Sequence, residues 1–146
     1  MPALNKLTDY ATVLMAQLAL RPGDVSSASG LAAACGATVA TTRKILKMLA
    51  RHGLVQSTRG ARGGYALARA PAEISMAQII EAMEGPLGMT ECSVASGLCE
   101  RESQCLLRPG WQQANAVIRQ ALDAISLAEM ALSMNQKARH HRQPDL

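Results

Sequence analysis

Apolar residues recur every three or four positions between Leu4 and Leu20, at Leu7, Tyr10, Ala11, Leu14, Met15 and Leu18, and predict a first helix that ends at RPGD. Ser26 and Ser27 are both capping types, so ASGLAAAC reads as a short second helix with Gly36 as its left-handed exit. Thr38 then caps a third helix over Ala40 to His52. Its apolar positions Ile45, Leu46, Met48 and Leu49 fall on one face, and Gly53 stops it. Two short helices joined by a tight glycine turn form the helix-turn-helix pattern. Leu54 to Thr58 and Tyr65 to Leu67 have strand composition, and RGARGG between them supplies the glycines of a hairpin tip. A helix-turn-helix followed directly by a hairpin is a winged helix.

After Pro71 the pattern turns helical again in ISMAQIIEAMEG, from a Ser75 cap to a Gly85 stop, a fourth helix packing beneath the wing. Residues 86–110 show little periodicity and read as a loop, long enough that a function or a bound group is expected to organise it. From Trp111 to Met134 the spacing of Trp111, Ala114, Ile118, Ala121, Ile125, Ala128 and Leu132 alternates threes and fours, with alanine at every second step. Such a seam lets helices approach closely. It predicts one long helix packed on Leu4 to Leu20 or on its own copy in a homodimer. The predicted fold is therefore mainly α: a winged helix-turn-helix with a short β-hairpin wing and a long C-terminal dimerisation helix. The expected organisation is a DNA-binding domain at 1–85, a cysteine loop at 86–110, the dimerisation helix at 111–134 and a disordered polar tail at 135–146.

Charge adds a partner to this outline. Between Val25 and Ala72 lie Arg43, Lys44, Lys47, Arg51, Arg59, Arg62 and Arg69 without a single acid, while eight of the eleven acids fall between Glu73 and Glu129, with Asp145 beyond. A basic segment of this kind is the footprint of a surface facing a polyanion. The chain has no Phe, two Tyr and one Trp. Single-strand binders stack bases on aromatic side chains, so the expected partner is duplex DNA. On the third helix Arg43 is placed to read a guanine edge, with Thr41, Thr42, Lys44 and Lys47 contacting bases or phosphates; Arg59 and Arg62 at the wing tip reach a minor groove or its phosphates. No leader-like run opens the sequence and no stretch is apolar enough to span a membrane, which predicts a cytoplasmic protein with no membrane partner.

Three of the four cysteines, Cys92, Cys99 and Cys105, lie within fourteen residues of this loop, with six and then five residues between them. Cys35 stands apart among apolar neighbours and reads as a small buried thiol. In a reducing compartment a close cysteine set points to a metal or to redox chemistry rather than to structural bridges. Structural zinc sites draw on cysteines two to four residues apart, whereas iron-sulfur clusters take more widely spaced ligands, so the spacing favours a cluster over zinc. Thiol–disulfide exchange is a third option. A thiol oxidoreductase would want a CxxC pair, which the chain lacks, so an enzyme is not expected.

Together LTDYA, the RGARGGYAL wing, ISMAQIIEAMEG, the three loop cysteines and CLLRPGW resemble the Rrf-type family of winged-helix transcription regulators, the IscR/NsrR-like group, over Leu4 to about Met134. GPLGMTECSV and CLLRPGW are most similar to the regulators of SUF iron-sulfur assembly operons. The resemblance implies a homodimeric repressor reading a palindromic operator, with Cys92, Cys99 and Cys105 ligating an iron-sulfur cluster, [2Fe-2S] ahead of [4Fe-4S]. It also implies a choice of signal, cluster or iron status in most such regulators and nitric oxide in some. IscR-like members carry a histidine three residues after the last cysteine. This chain has Arg108 there, which cannot coordinate a metal. The NsrR-like pattern supplies an N-terminal aspartate from the other subunit, and the matching residue is Asp9. Glu91, Glu100, Glu102 or solvent are the remaining choices for the fourth ligand.

Overall fold

The structure, a computed structural model, describes residues 3–140. Helix α1 (Lys6–Ala19) starts at Asn5, whose side chain accepts from the Thr8 N–H at 2.9 Å. Its inner face, Ala11, Leu14, Met15 and Leu18, is buried at the centre of the core. Helix α2 (Ala28–Cys35) is capped by Ser27 and leaves through Gly36 at φ 67°, a left-handed conformation that favours glycine. Helix α3 (Val39–Arg51) is capped by Thr38, and Thr42, Ile45, Leu46 and Leu49 form its buried face. Truncating any of these three aliphatic side chains would leave a cavity costing about 2–5 kcal/mol.

Strands β1 (Val55–Thr58) and β2 (Gly64–Leu67) pair antiparallel with Val55 opposite Leu67 and Thr58 opposite Gly64. Ser26 extends this hairpin by a bridge to Tyr65, each backbone N–H donating to the other's carbonyl at 2.8 Å. That bridge and the tight hairpin tip explain the paired glycines of the wing. A Cβ on Gly64 would lie 2.4 Å from the Ser26 carbonyl oxygen, and one on Gly63 2.3 Å from that of Thr58. Helix α4 (Met76–Glu84) opens on a capping box in which Ser75 and Gln78 bond each other's backbone N–H, and it ends at Gly85 as the sequence predicts.

The C-terminal half departs from expectation in three ways. The predicted loop carries a single turn, α5 (Glu91–Val94), and a 3-10 turn at Glu102–Gln104. Helix α6 (Arg108–Asp123) begins inside it, with Pro109 in the first turn where its missing N–H costs nothing. The predicted single long helix is two, because α7 (Leu127–His140) starts afresh after Ala124–Ser126. Ser126 and Glu129 form a second capping box, S-L-A-E, with the Ser126 N–H donating to Glu129 Oε2 at 2.7 Å. The elbow is also tied to the start of α4: the Met76 N–H donates to the Ile125 carbonyl at 3.0 Å and the Leu127 N–H to the Ile74 carbonyl at 2.8 Å. These tertiary bonds replace the helical ones that an unbroken helix would make. Finally, α7 runs through 135–140, where a disordered tail was expected; Gln136, Lys137 and Arg139 are good helix formers, and basic residues suit a helix C-terminus. The rest of that tail, 141–146, lies outside the described residues.

Helix α7 buries Leu127 and Ala131 against α1, one position before the predicted seam residues Ala128 and Leu132, and Leu132 is left exposed, so the face packed within the chain is not the predicted seam. Helix α6 lies along α4 and α5 without burying any residue. Trp111, Val117 and Ala121 are exposed on it.

Candidate nucleic-acid interface and cysteine loop

The amphipathic division of α3 sets the reading surface. With Ile45, Leu46 and Leu49 turned into the core, Arg43, Lys44, Lys47 and Arg51 are left exposed on the opposite side. Thr41 is half-buried beside them, and its hydroxyl accepts from Thr38 Oγ1 at 2.9 Å. Thr42 corrects the sequence reading. It is 0% exposed, on the core face one step round from Thr41, and does not present its hydroxyl to DNA. Among the described residues that hydroxyl has no hydrogen-bond partner. An unsatisfied buried hydroxyl is destabilising, so Thr42→Val, which keeps the shape, should raise stability by about 1 kcal/mol. Chemical denaturation checks this: a lower midpoint for the variant would mean that the hydroxyl is satisfied.

Arg59 and Arg62 are exposed at the wing tip. Among the described residues no acid pairs with Arg43, Lys44, Lys47, Arg59 or Arg62, so their charge faces outward unneutralised. Arg69 differs: it donates to Gln78 Oε1 at 3.3 Å and to the Glu73 carbonyl at 3.4 Å, which joins the wing's exit to α4.

Beyond the reading head the chain passes through α4 into the cysteine loop. Cys92, Cys99 and Cys105 are each half-buried and free of disulfides. Cys92 sits in α5, where the Thr90 hydroxyl lies 3.2 Å from its sulfur. The loop's first arm is tied to α6, where Asn115 donates to the Leu87 carbonyl at 3.0 Å, and it packs closely on itself, since a Cβ on Gly88 would meet Val94 Cγ2 at 2.4 Å. Below it a cavity of ≈ 560 Å³, lined by Leu4, Ile80, Met89, Val94, Ile118 and Leu122, separates loop, α4 and α6. Arg119 of α6 pairs with Glu81 of α4, and that carboxylate raises the guanidinium pKa.

Glu102, one of the fourth-ligand choices, is engaged elsewhere. It accepts from the Gly97 N–H and forms an ion pair with Arg108, with side chains 13% and 33% exposed respectively. Glu91 and Glu100 are exposed. Asp9 is exposed in the first turn of α1. Glu84 holds that helix start, accepting from the Asn5 N–H at 3.0 Å and from the buried Thr8 hydroxyl at 2.7 Å. Among the described residues of this single chain no three Cys, His, Asp or Glu side chains converge closely enough to hold a metal ion. Cys35 packs against the core, and burial pushes its thiol pKa up.

Three features escaped the sequence reading. The Ser126–Glu129 box was legible as S-x-x-E inside the apolar seam. The Glu84–Thr8 and Glu102–Arg108 links join residues that no spacing rule connects.

Known proteins share this arrangement. The chain is similar to protein rrf2 of Nitratidesulfovibrio vulgaris, 28% identical over 128 residues covering 87% of this chain and 85% of the relative. It is 30% identical over 128 residues to the HTH-type transcriptional regulator IscR of Aliivibrio salmonicida, covering 83% and 72%. Among solved structures it is similar to CymR, the global cysteine regulator of B. subtilis, with TM-score 0.72, 27% identity and coverage of 91% and 98%. T. potens IscR gives TM-score 0.66, 27% identity and coverage of 99% and 94%. Residues 4–132 match the Rrf2 family, described as iron-dependent transcriptional regulators, a class of DNA-binding proteins and not of enzymes. With its winged helix, outward basic face and cysteine loop, the chain belongs to the Rrf2 family of transcriptional regulators.

Proposed function

We propose that this protein is a cytoplasmic homodimeric repressor of SUF iron-sulfur assembly genes whose operator affinity depends on an iron-sulfur cluster, [2Fe-2S] in preference to [4Fe-4S]. One observation carries the reading: three free, half-buried thiols share one anchored loop with a buried Arg108 Nε that lacks a partner. Soft thiolates suit iron and sulfide, and an orphaned cationic donor suits the negative charge such a group brings. Cys92, Cys99 and Cys105 would be its ligands. Asp9 of a second copy completes the site, with Glu102 already engaged by the Gly97 N–H and by Arg108. When bound, the cluster supplies a redox-active, oxygen-labile group.

The residues of the chain relay its presence mechanically. The loop is tethered to α6 by Asn115 and continuous with α4, and α4 is bonded both to the elbow at Ile125 and, through Arg69, to the exit of the wing. A change in loop geometry therefore bears on the α6 surface that meets the second copy and on the spacing of the two α3 helices, a two-state element that ligation can bias.

Protein purified without air should be brown and contain iron and acid-labile sulfide. A colourless protein with stoichiometric zinc would instead make it a zinc-stabilised DNA-binding protein. Retention of the cluster in air-free buffer with selective destruction by nitric oxide would move the signal to that gas. Recognition itself rests on Arg43, exposed near the start of α3. Arg43→Ala should relax operator preference at one base pair per half-site, costing about 1–3 kcal/mol there. Equal weakening on operator and scrambled DNA would reassign Arg43 to the phosphates.

A further inference from the structure

Polar links prop open, on three sides, the cavity of ≈ 560 Å³ between the cysteine loop, α4 and α6. Asn115 of α6 holds the loop's first arm through the Leu87 carbonyl at 3.0 Å. Arg119 of α6 pairs with Glu81 of α4. Glu84, at the end of α4, ties down the start of α1 by accepting from the Asn5 N–H at 3.0 Å and the Thr8 hydroxyl at 2.7 Å, which keeps Leu4 at the cavity wall. An apolar hollow tends to collapse, because its lining forfeits contacts on one side. The braced walls oppose that collapse and leave a preformed site of the size and character that small molecules occupy.

The lining selects the guest. Apolar side chains predominate, from Ile80, 3% exposed, to Leu4 and Met89, both 40% exposed. No Lys, Arg or His is among the lining residues, and Glu84 supplies their one ionised group. Both hydrogen bonds that Glu84 accepts from the start of α1 use Oε1, so Oε2 is left to accept from a guest. A carboxylate or phosphate entering beside Glu84 would meet like charge without a counterion, whereas an N–H or ammonium group would gain a charged acceptor. A cavity of ~150 Å³ holds benzene, so this one takes a guest of roughly 20 non-hydrogen atoms.

We propose that this cavity is a binding site for a neutral or cationic apolar molecule, of the class of long-chain or aryl amines, with its nitrogen at Glu84. None of the three loop thiols lines it, so the site stands apart from the cluster reading.

The test titrates the purified protein with N-phenylnaphthylamine, a neutral aryl amine that fluoresces in apolar surroundings, and then displaces it with decylamine or decanoate, chains of equal length and opposite charge. One saturable probe site per chain is expected, with decanoate needing at least a tenfold higher concentration than decylamine to displace the probe. Ile118→Trp, which fills the cavity, should weaken probe binding at least tenfold, and Glu84→Gln should narrow the gap between the two chains. Absence of saturable binding, or equal displacement by the two chains, overturns the proposal. So does unchanged probe affinity in a folded Ile118→Trp protein. Should that variant not fold, Met89→Trp takes its place and is read in the same way. Probe affinity that falls as protein concentration rises would mean that a second copy fills the cavity, which also overturns the proposal.

Discussion

Single replacement of Cys92, Cys99 or Cys105 by alanine should strip the protein of most of its iron and sulfide, while Cys35→Ala leaves both unchanged. A cluster needs all its protein ligands, so three cysteines acting together show no graded loss. Cys35 lies on α2, packed against the core, and burial raises its thiol pKa and holds it as the neutral thiol. None of the loop cysteines contributes to the core, so the variants should remain folded and keep salt-sensitive, non-specific DNA binding. Asp9→Ala is the finer version. If Asp9 of the second copy is a ligand, this variant should assemble a cluster with altered absorption and faster loss in air; an unchanged spectrum and lifetime would leave Glu91, Glu100 or solvent as fourth ligand. Iron, sulfide and absorbance read all of these at once. A set of loop variants that retain wild-type iron would remove the site from this loop.

Ala121→Glu should convert the proposed dimer to monomer. Helix α6 buries no residue within the chain, yet carries Trp111 and Val117, 39% and 59% exposed, beside Ala121. Exposed apolar area concentrated on one regular helix marks an association surface, and the alanine permits close approach. In a two-fold dimer each substitution occurs twice, and an uncompensated charge in a packed interface costs about 3–5 kcal/mol. Sedimentation at fixed concentration reports the outcome, and an intact dimer would place the interface elsewhere. The same substitution should disable palindromic operator recognition while sparing the fold, since Ala121 is exposed and is not part of the core.

Legibility in the sequence followed the range of the forces. Caps and glycines act within a turn, and Ser27, Thr38, Ser75, Gly36 and Gly85 all sit where their types predict. The basic face was legible because α3 has a regular period with no acid to neutralise it. Thr42 was misplaced because polarity suggested surface at a position where the period of Ile45, Leu46 and Leu49 already pointed inward. The break at Ala124–Ser126 was hidden because apolar periodicity continues across it; what ends α6 there is bonding to Ile74 and Met76, about fifty residues earlier in the chain. Likewise the cysteines advertise a ligand set, but the Glu102–Arg108 pair that braces their loop depends on a fold that no spacing encodes.

The central claim is that ligation at the cysteine loop sets operator affinity. It is tested most directly by measuring, without air, the affinity of one preparation before and after cluster removal. The probes are an operator selected from random duplex DNA and a scrambled control. The account predicts different dissociation constants on the operator for the two forms, with equal affinities and equal salt dependence on the control, because the basic face is unchanged. Identical operator affinities in the two forms would contradict it.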